Sequence, residues 1–110
     1  MASTALSTIV TQVEHQLHAN GRSTGRDVIY AFNLIGEGGG KFYVAIKGGY
    51  GSLHLGSPPV ADCWITMATA DGLAIVQGRM NAMAAVFTRR IRIDGDLAVA
   101  ARLGELLRPR

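Results

Sequence analysis

"DVIYAFNLIGEGGGKFYVAIK", residues 27–47, is the stretch on which the fold turns. Val28, Tyr30, Phe32 and Leu34 recur at every second position, and Phe42, Val44 and Ile46 do the same after an interruption. Strand side chains alternate between faces, so each run offers one apolar face. The interruption is "GEGGG", residues 36–40, and a short glycine-rich link between alternating runs predicts a β-hairpin. A second glycine turn, "GGYG" at 48–51, leads into "SLHLG", residues 52–56, with Leu53 and Leu55 expected to point inward. Three strands joined by short turns predict an antiparallel meander.

Outward from this meander the period lengthens on both sides. Leu6, Ile9, Val10, Val13 and Leu17 predict an amphipathic helix over 4–19, with Ser3 or Thr4 as its cap and Gly21 after its end. "NGRSTGRD", residues 20–27, reads as a loop. On the other side, "GSPPVA" at 56–61 is a connector, because Pro58 and Pro59 lack the N–H that a central strand needs. "DCWITMA", 62–68, predicts a fourth strand with Cys63, Ile65 and Met67 on its apolar face. "TADGLAIVQG", 69–78, predicts a helix with Thr69 or Asp71 as N-cap and Gly78 as stop. "NAMAAVFT", 81–88, predicts a second short helix capped by Asn81. "RRIRID", 89–94, is a fifth strand, with Ile91 and Ile93 inward and Arg90 and Arg92 outward. "GDLAVAARLGELL", 95–107, closes the chain as a helix capped by Asp96, with Leu97, Ala100, Leu103 and Leu107 along one face. This order predicts an α+β domain, a five-stranded, mostly antiparallel sheet with helices on one face. The other face, with Lys41, Lys47, His54, Trp64, Arg90 and Arg92, looks toward solvent or a partner.

Composition narrows the class. A chain of 110 residues is expected to form a single domain, 1–110. Its 48% hydrophobic and 17% charged residues exclude a disordered chain. No run of about 18 apolar residues is present, so no membrane span is expected. The first residues lack a basic segment followed by a continuous apolar one, so no signal peptide is expected. Cys63 is alone, which excludes an internal disulfide and fits a reducing compartment, so a cytoplasmic location is expected. The net charge is +3, and Arg79, Arg89, Arg90, Arg92, Arg102, Arg108 and Arg110 supply the late excess. Such a flank is either plainly solvated or steers the protein toward a polyanion. No aromatics interleave with these arginines, so no specific nucleic-acid partner is expected, whereas transient contact with an anionic membrane surface stays open.

Reactive constellations are scarce. "GEGGGK" lacks the spacing and the following helix of a phosphate-binding loop. His15 and His18, beside Glu14, are two imidazoles where a zinc site wants three or four ligands, so no metal is expected. His54 stands alone, and Cys63 on an apolar strand face reads as a small hydrophobe. Asp71, Asp94 and Asp96 sit at helix starts or a strand end, where capping accounts for Asp71 and Asp96. No catalytic residue, cofactor or enzymatic activity is expected, and a binding site is the better expectation.

"GRMNAMAAVFTRRIRIDGD", residues 78–96, indicates what is bound. Between Met80 and Phe87 the only polar side chain is Asn81. A helix apolar all round is buried on every side or faces something apolar that is not protein. The region uses Met67, Met80, Met83 and alanines where a tight core favours Leu and Ile. Either a closed core happens to use Met and Ala, or an under-filled space accommodates an apolar ligand.

These segments resemble the lipid-binding domain of the type-2 sterol carrier protein family. "FNLIGEGGGKFYVAIKGG" resembles its first hairpin, with the aromatic at Phe42. "ADCWITMATADGLAIVQGRMNAMAAV" resembles the stretch that begins Ala-Asp and runs through a helix to Gly-Lys-Leu, here Gly78-Arg79-Met80. "RIRIDGDLAVAARLGELL" resembles the closing strand, the Gly-Asp step and the last helix. The likeness covers residues 27–107, and it rests on the ordered series more than on any one motif. Ala82 stands where the family often has Pro, Val86 where it often has Phe, and Arg89 where Gly is usual.

The resemblance implies non-enzymatic carriage of a fatty acid, acyl-CoA or sterol-like molecule in a tunnel between sheet and helices. Carried onto matching positions, it implies a lining of Phe32, Val44, Ile65, Met67, Leu73, Val76, Met80, Met83, Val86, Ile91, Ile93 and Leu103. Arg89 shares the parity of Ile91 and Ile93 but follows the apolar helix directly, which places it at the mouth, suited to a carboxylate or phosphate. Pairing with Asp94 or Asp71, or simple solvation, is the alternative for Arg89. Two other functions compete with carriage. One is an interaction module using Trp64 and Tyr43 on the outer sheet face; the other, weaker, is a small enzyme acting on a lipid.

Overall fold

Strand alternation and helix caps generate nine elements among the described residues. The structure is a computed structural model that describes residues 4–19 and 27–106. In chain order they are α1 (Thr4–Ala19), β1 (Val28–Ile35), β2 (Gly40–Lys47), β3 (Tyr50–Leu55), β4 (Cys63–Ala68), α2 (Thr69–Val76), α3 (Ala82–Phe87), β5 (Ile91–Gly95) and α4 (Leu97–Leu106). The expected Ser3 or Thr4 cap, the 20–26 loop, the Gly21 stop and the side chains of Leu103 and Leu107 lie outside what is described.

The sheet order is β3-β2-β1-β4-β5. β1–β2, β2–β3 and β4–β5 are antiparallel, and β1–β4 is parallel. A parallel pair needs the chain to travel back before it re-enters the sheet. Here the proline connector makes that return and Asp62 fixes its landing. The Asp62 amide donates to the Ile29 carbonyl at 2.9 Å, and its carboxylate accepts the Ile29 amide at 2.8 Å.

Register brings the apolar faces together. Phe32 lies between Phe42 and Ile65, and Tyr30 lies between Val44 and Cys63. The Phe32 and Phe42 rings stack at 4.6 Å. Ile9, Val13 and Leu17 bury one stripe of α1 against this face. α2 sits close because the residues it buries are Thr69, Gly72 and Ala74. A methyl group at Gly72 would touch Ile9, Leu34 and Met67 at 3.3–3.4 Å. α4 is tied down by the buried Tyr30 hydroxyl, which donates to the Val99 carbonyl at 2.7 Å.

Two sequence expectations need correction. Leu55 is 68% exposed, although its register places it beside Phe42 on the inner face. α1 crosses diagonally, from the Gly38 carbonyl that accepts the Leu6 amide to Gly51, which lies against Leu17. The far end of the edge strand β3 falls off that diagonal. At α2, neither Thr69 nor Asp71 is the N-cap. β4 runs straight into the helix, Ala68 holds the cap position without a side-chain bond, and the Thr69 hydroxyl donates instead to the Ile35 carbonyl at 3.1 Å. Asp71 falls in the first turn and pairs with Arg90 at 3.1 Å. The other two caps form as expected. Asn81 accepts the Ala84 amide at 3.1 Å, and Asp96 accepts the Ala98 amide at 2.9 Å.

Cys63 is a free thiol, buried in the core. Burial pushes its pKa up, and the carboxylates of Asp96, Asp62 and Asp94 add to the shift. Burial likewise raises Tyr30. The folded protein therefore keeps these protons at a pH where the unfolded chain has released them. Stability is lost as pH rises past the ordinary thiol value of about 8.5. Urea midpoints measured from neutral to alkaline pH should decline from that point, and Cys63→Ala should make the decline shallower. An unchanged slope in the variant would show that the thiol carries none of it.

Candidate apolar ligand site

The site grows from one cross-strand row on the inner face, Phe42–Phe32–Ile65–Ile93. Burial falls along it toward β5. Phe32 and Ile65 are 5% exposed, whereas Ile93 is half-buried. The next row, Leu34–Met67–Ile91, is buried throughout. Val44 belongs to the row on the other side, between Leu53 and Tyr30, and is fully buried.

Helices bring further apolar groups to the β5 half of this face. α3 packs on β5, α2 on β4 and β1, and α4 on β1, β4 and β5. Leu73 and Val76 of α2, Met80 of the link and Val86 of α3 are half-buried and pack against the core, as Ile93 does. Leu73, Val76, Met80, Val86 and Ile93 are thus partly open apolar side chains packed against the core cluster that includes the buried Phe32, Ile65, Met67 and Ile91. These groups are hydrocarbon and thioether. They can bind by burial, and these side chains offer no general acid, base or nucleophile. Among the described residues no group of three or more His, Cys, Asp or Glu is arranged to hold a metal.

Two expected lining residues stand elsewhere. Met83 is 60% exposed. α3 turns its buried Ala85 toward the sheet, and at about 100° per residue Met83 and Phe87 fall on the opposite side of the helix. Phe87, which the sequence reading did not single out as a surface group, is 80% exposed. Its signal was available. With Ala85 as the inward residue, positions 83 and 87 must face away.

Arg89 is the second. β5 begins at Ile91, so Arg89 has no strand parity and lies exposed in the turn after α3. Its φ is 64°, and among the described residues it is the only non-glycine with a positive φ. Neither acid considered for it is its partner, because Asp71 pairs with Arg90 and Asp94 with Arg92, each at 3.1 Å. A left-handed side chain costs about 1 kcal/mol relative to glycine. Arg89→Gly should therefore raise the unfolding free energy by about that much in urea titration; a loss of stability would mean that the guanidinium supports the fold.

The sequence profile of the SCP-2 sterol transfer family matches residues 10–108. The chain belongs to the SCP-2 sterol transfer family. It is 33% identical over 103 residues to sterol carrier protein 2 of Gallus gallus, an alignment that covers 89% of this chain and 19% of that protein. The chain thus spans about a fifth of the length of the curated relatives it matches. Among solved structures, palmitated SCP2L2 from Aedes aegypti superposes with a TM-score of 0.77 at 22% identity, covering 96% of each chain. Sterol carrier protein 2 from the same species, in complex with the C16 fatty acid palmitate, gives 0.72 at 18% identity and also covers 96% of each. The mixed sheet with helices on one face is the SCP-2 fold.

Proposed function

We propose that this SCP-2 domain binds and carries an apolar lipid between the β5 half of its sheet and helices α2, α3 and α4, without catalysing a reaction on it. The observation that carries this reading is that Leu73, Val76, Met80, Val86 and Ile93 are half-buried and pack against the core, and we take them as the rim of the lipid site. Apolar groups left half-open around a packed floor gain when something apolar covers them. Two neighbours of the same fold were solved with palmitate, and a long acyl chain matches the chemistry of this rim. Burying about twelve methylenes at ~0.8 kcal/mol each gives roughly 10 kcal/mol. Association costs of ~4–15 kcal/mol come off that. Micromolar affinity fits this balance, and tighter binding needs a polar anchor for the head group.

The outer sheet face is less suited to a partner. Tyr43 stacks on His54 at 5.0 Å, His54 contacts the Ser52 hydroxyl at 3.0 Å, and Arg92 pairs with Asp94, so its polar groups engage one another. Protein purified without detergent and analysed by denaturing mass spectrometry should release host lipid. Emptied of that lipid, it should take up a fluorescent fatty acid saturably. Absence of both would contradict lipid carriage.

A further inference from the structure

α3 presents to solvent what a helix of its length would be expected to hide. Met83 and Phe87 are 60% and 80% exposed, and being four residues apart they form one stripe. Residues 82–89 contain no acidic side chain. The stripe runs into Arg89, and its backbone is the unusual feature.

Helices α2 and α3 end in the same hydrogen-bond pattern. After α2, the Gly78 amide donates to Ile75 and the Arg79 amide to Ala74, at 3.1 and 2.8 Å. After α3, the Arg89 amide donates to Val86 and the Arg90 amide to Ala85, also at 3.1 and 2.8 Å. The pattern needs a left-handed residue, usually glycine. Gly78 fills it in the first case with φ 77°, and Arg89 in the second with φ 64°. Arg90 and Arg92 are neutralised by Asp71 and Asp94, whereas Arg89 forms no ion pair among the described residues. A guanidinium with no ion-pair partner among the described residues is thus held in a strained turn beside two exposed apolar side chains.

We propose that the α3–β5 turn is the surface by which this protein docks on an anionic membrane. Met83 and Phe87 insert at the boundary between headgroups and acyl chains, and Arg89 binds a headgroup phosphate or carboxylate. The charge complementarity selects a lipid surface over a neutral apolar partner. The inference rests on the carrier reading in one respect, that a carrier must meet the bilayer that supplies its cargo.

The test is co-sedimentation with vesicles of phosphatidylcholine, with and without phosphatidylserine, using the full chain. Wild type should bind the serine-containing vesicles more tightly. Met83→Ser with Phe87→Ser should weaken binding to them about tenfold. Arg89→Gly should weaken it about fivefold, with little change on phosphatidylcholine alone. Arg90→Gln removes the same charge and should have a smaller effect. Urea midpoints verify that each variant folds. Uptake of a fluorescent fatty acid from water, without vesicles, should stay at the wild-type level in all of them, so a failed carrier reading shows as lost uptake in wild type and is not confused with lost docking. Unchanged vesicle binding in the α3 variants would overturn the proposal. So would equal losses at Arg89 and Arg90 that fade together in salt, or a change confined to self-association in sedimentation velocity.

Discussion

Gly95→Ala should destabilise the domain by at least about 3 kcal/mol, the sum of a strained backbone and a forced contact. Gly95 has φ 121°, a conformation that side chains other than hydrogen rarely adopt. The added methyl would lie 2.5 Å from the Asp62 carbonyl oxygen and 3.0 Å from the Cys63 Cα, both rigid backbone. Asp62 cannot move aside cheaply, because both its amide and its carboxylate are bonded to Ile29. Displacing it loosens the junction where the returning chain joins β1 in parallel. Gly36→Ala is the control. Its φ is 109°, but a methyl there meets nothing within 4 Å, so only the backbone cost of about 1 kcal/mol applies. Equal losses for the two variants in urea titration would show that the Asp62 contact is absorbed without strain.

Ile93→Trp should reduce fatty-acid affinity by about tenfold or more while lowering stability by less than the ~1–3 kcal/mol that overpacking costs a closed core. Ile93 ends the inner row beside Ile65 and is half-buried at the rim. An indole there occupies space the acyl chain would fill. Met83→Trp adds bulk on the opposite side of α3 from Ala85 and should leave uptake from water unchanged. Titration with a fluorescent fatty acid, alongside urea midpoints, separates the two. A large loss of stability with intact binding at Ile93 would mean that this corner is plain core.

The sheet was legible because its signal is strictly local. From Val28 to Ile46 each apolar residue marks both a strand and a face, and the glycines between them mark the turn. Asn81 and Asp96 were legible as caps for the same reason, since each bonds an amide two or three residues on. Thr69 misled because its hydroxyl donates elsewhere, to the Ile35 carbonyl of the neighbouring strand. Leu55 misled because alternation fixes a face but not whether a helix reaches that far along it. Met83 and Arg89 were placed by composition and parity, whereas the helix rotation set by Ala85 and the start of β5 at Ile91 decide where they lie. Of the lining expected from the family resemblance, the strand positions Phe32, Ile65, Met67, Ile91 and Ile93 share two adjacent rows. Helix positions were less certain to read, because a shift of one residue turns a side chain by about 100°.

An isotope-filtered nuclear Overhauser spectrum of ¹³C-labelled protein saturated with unlabelled palmitate reads where the lipid sits. Lipid held between β5 and the helices predicts cross-peaks from the acyl chain to the methyl groups of Ile65, Leu73, Val76, Val86 and Ile93, with none to Ala31 or Ala45 on the outer face. Cross-peaks confined to the outer face, or saturation without any contact to the rim methyls, would contradict it.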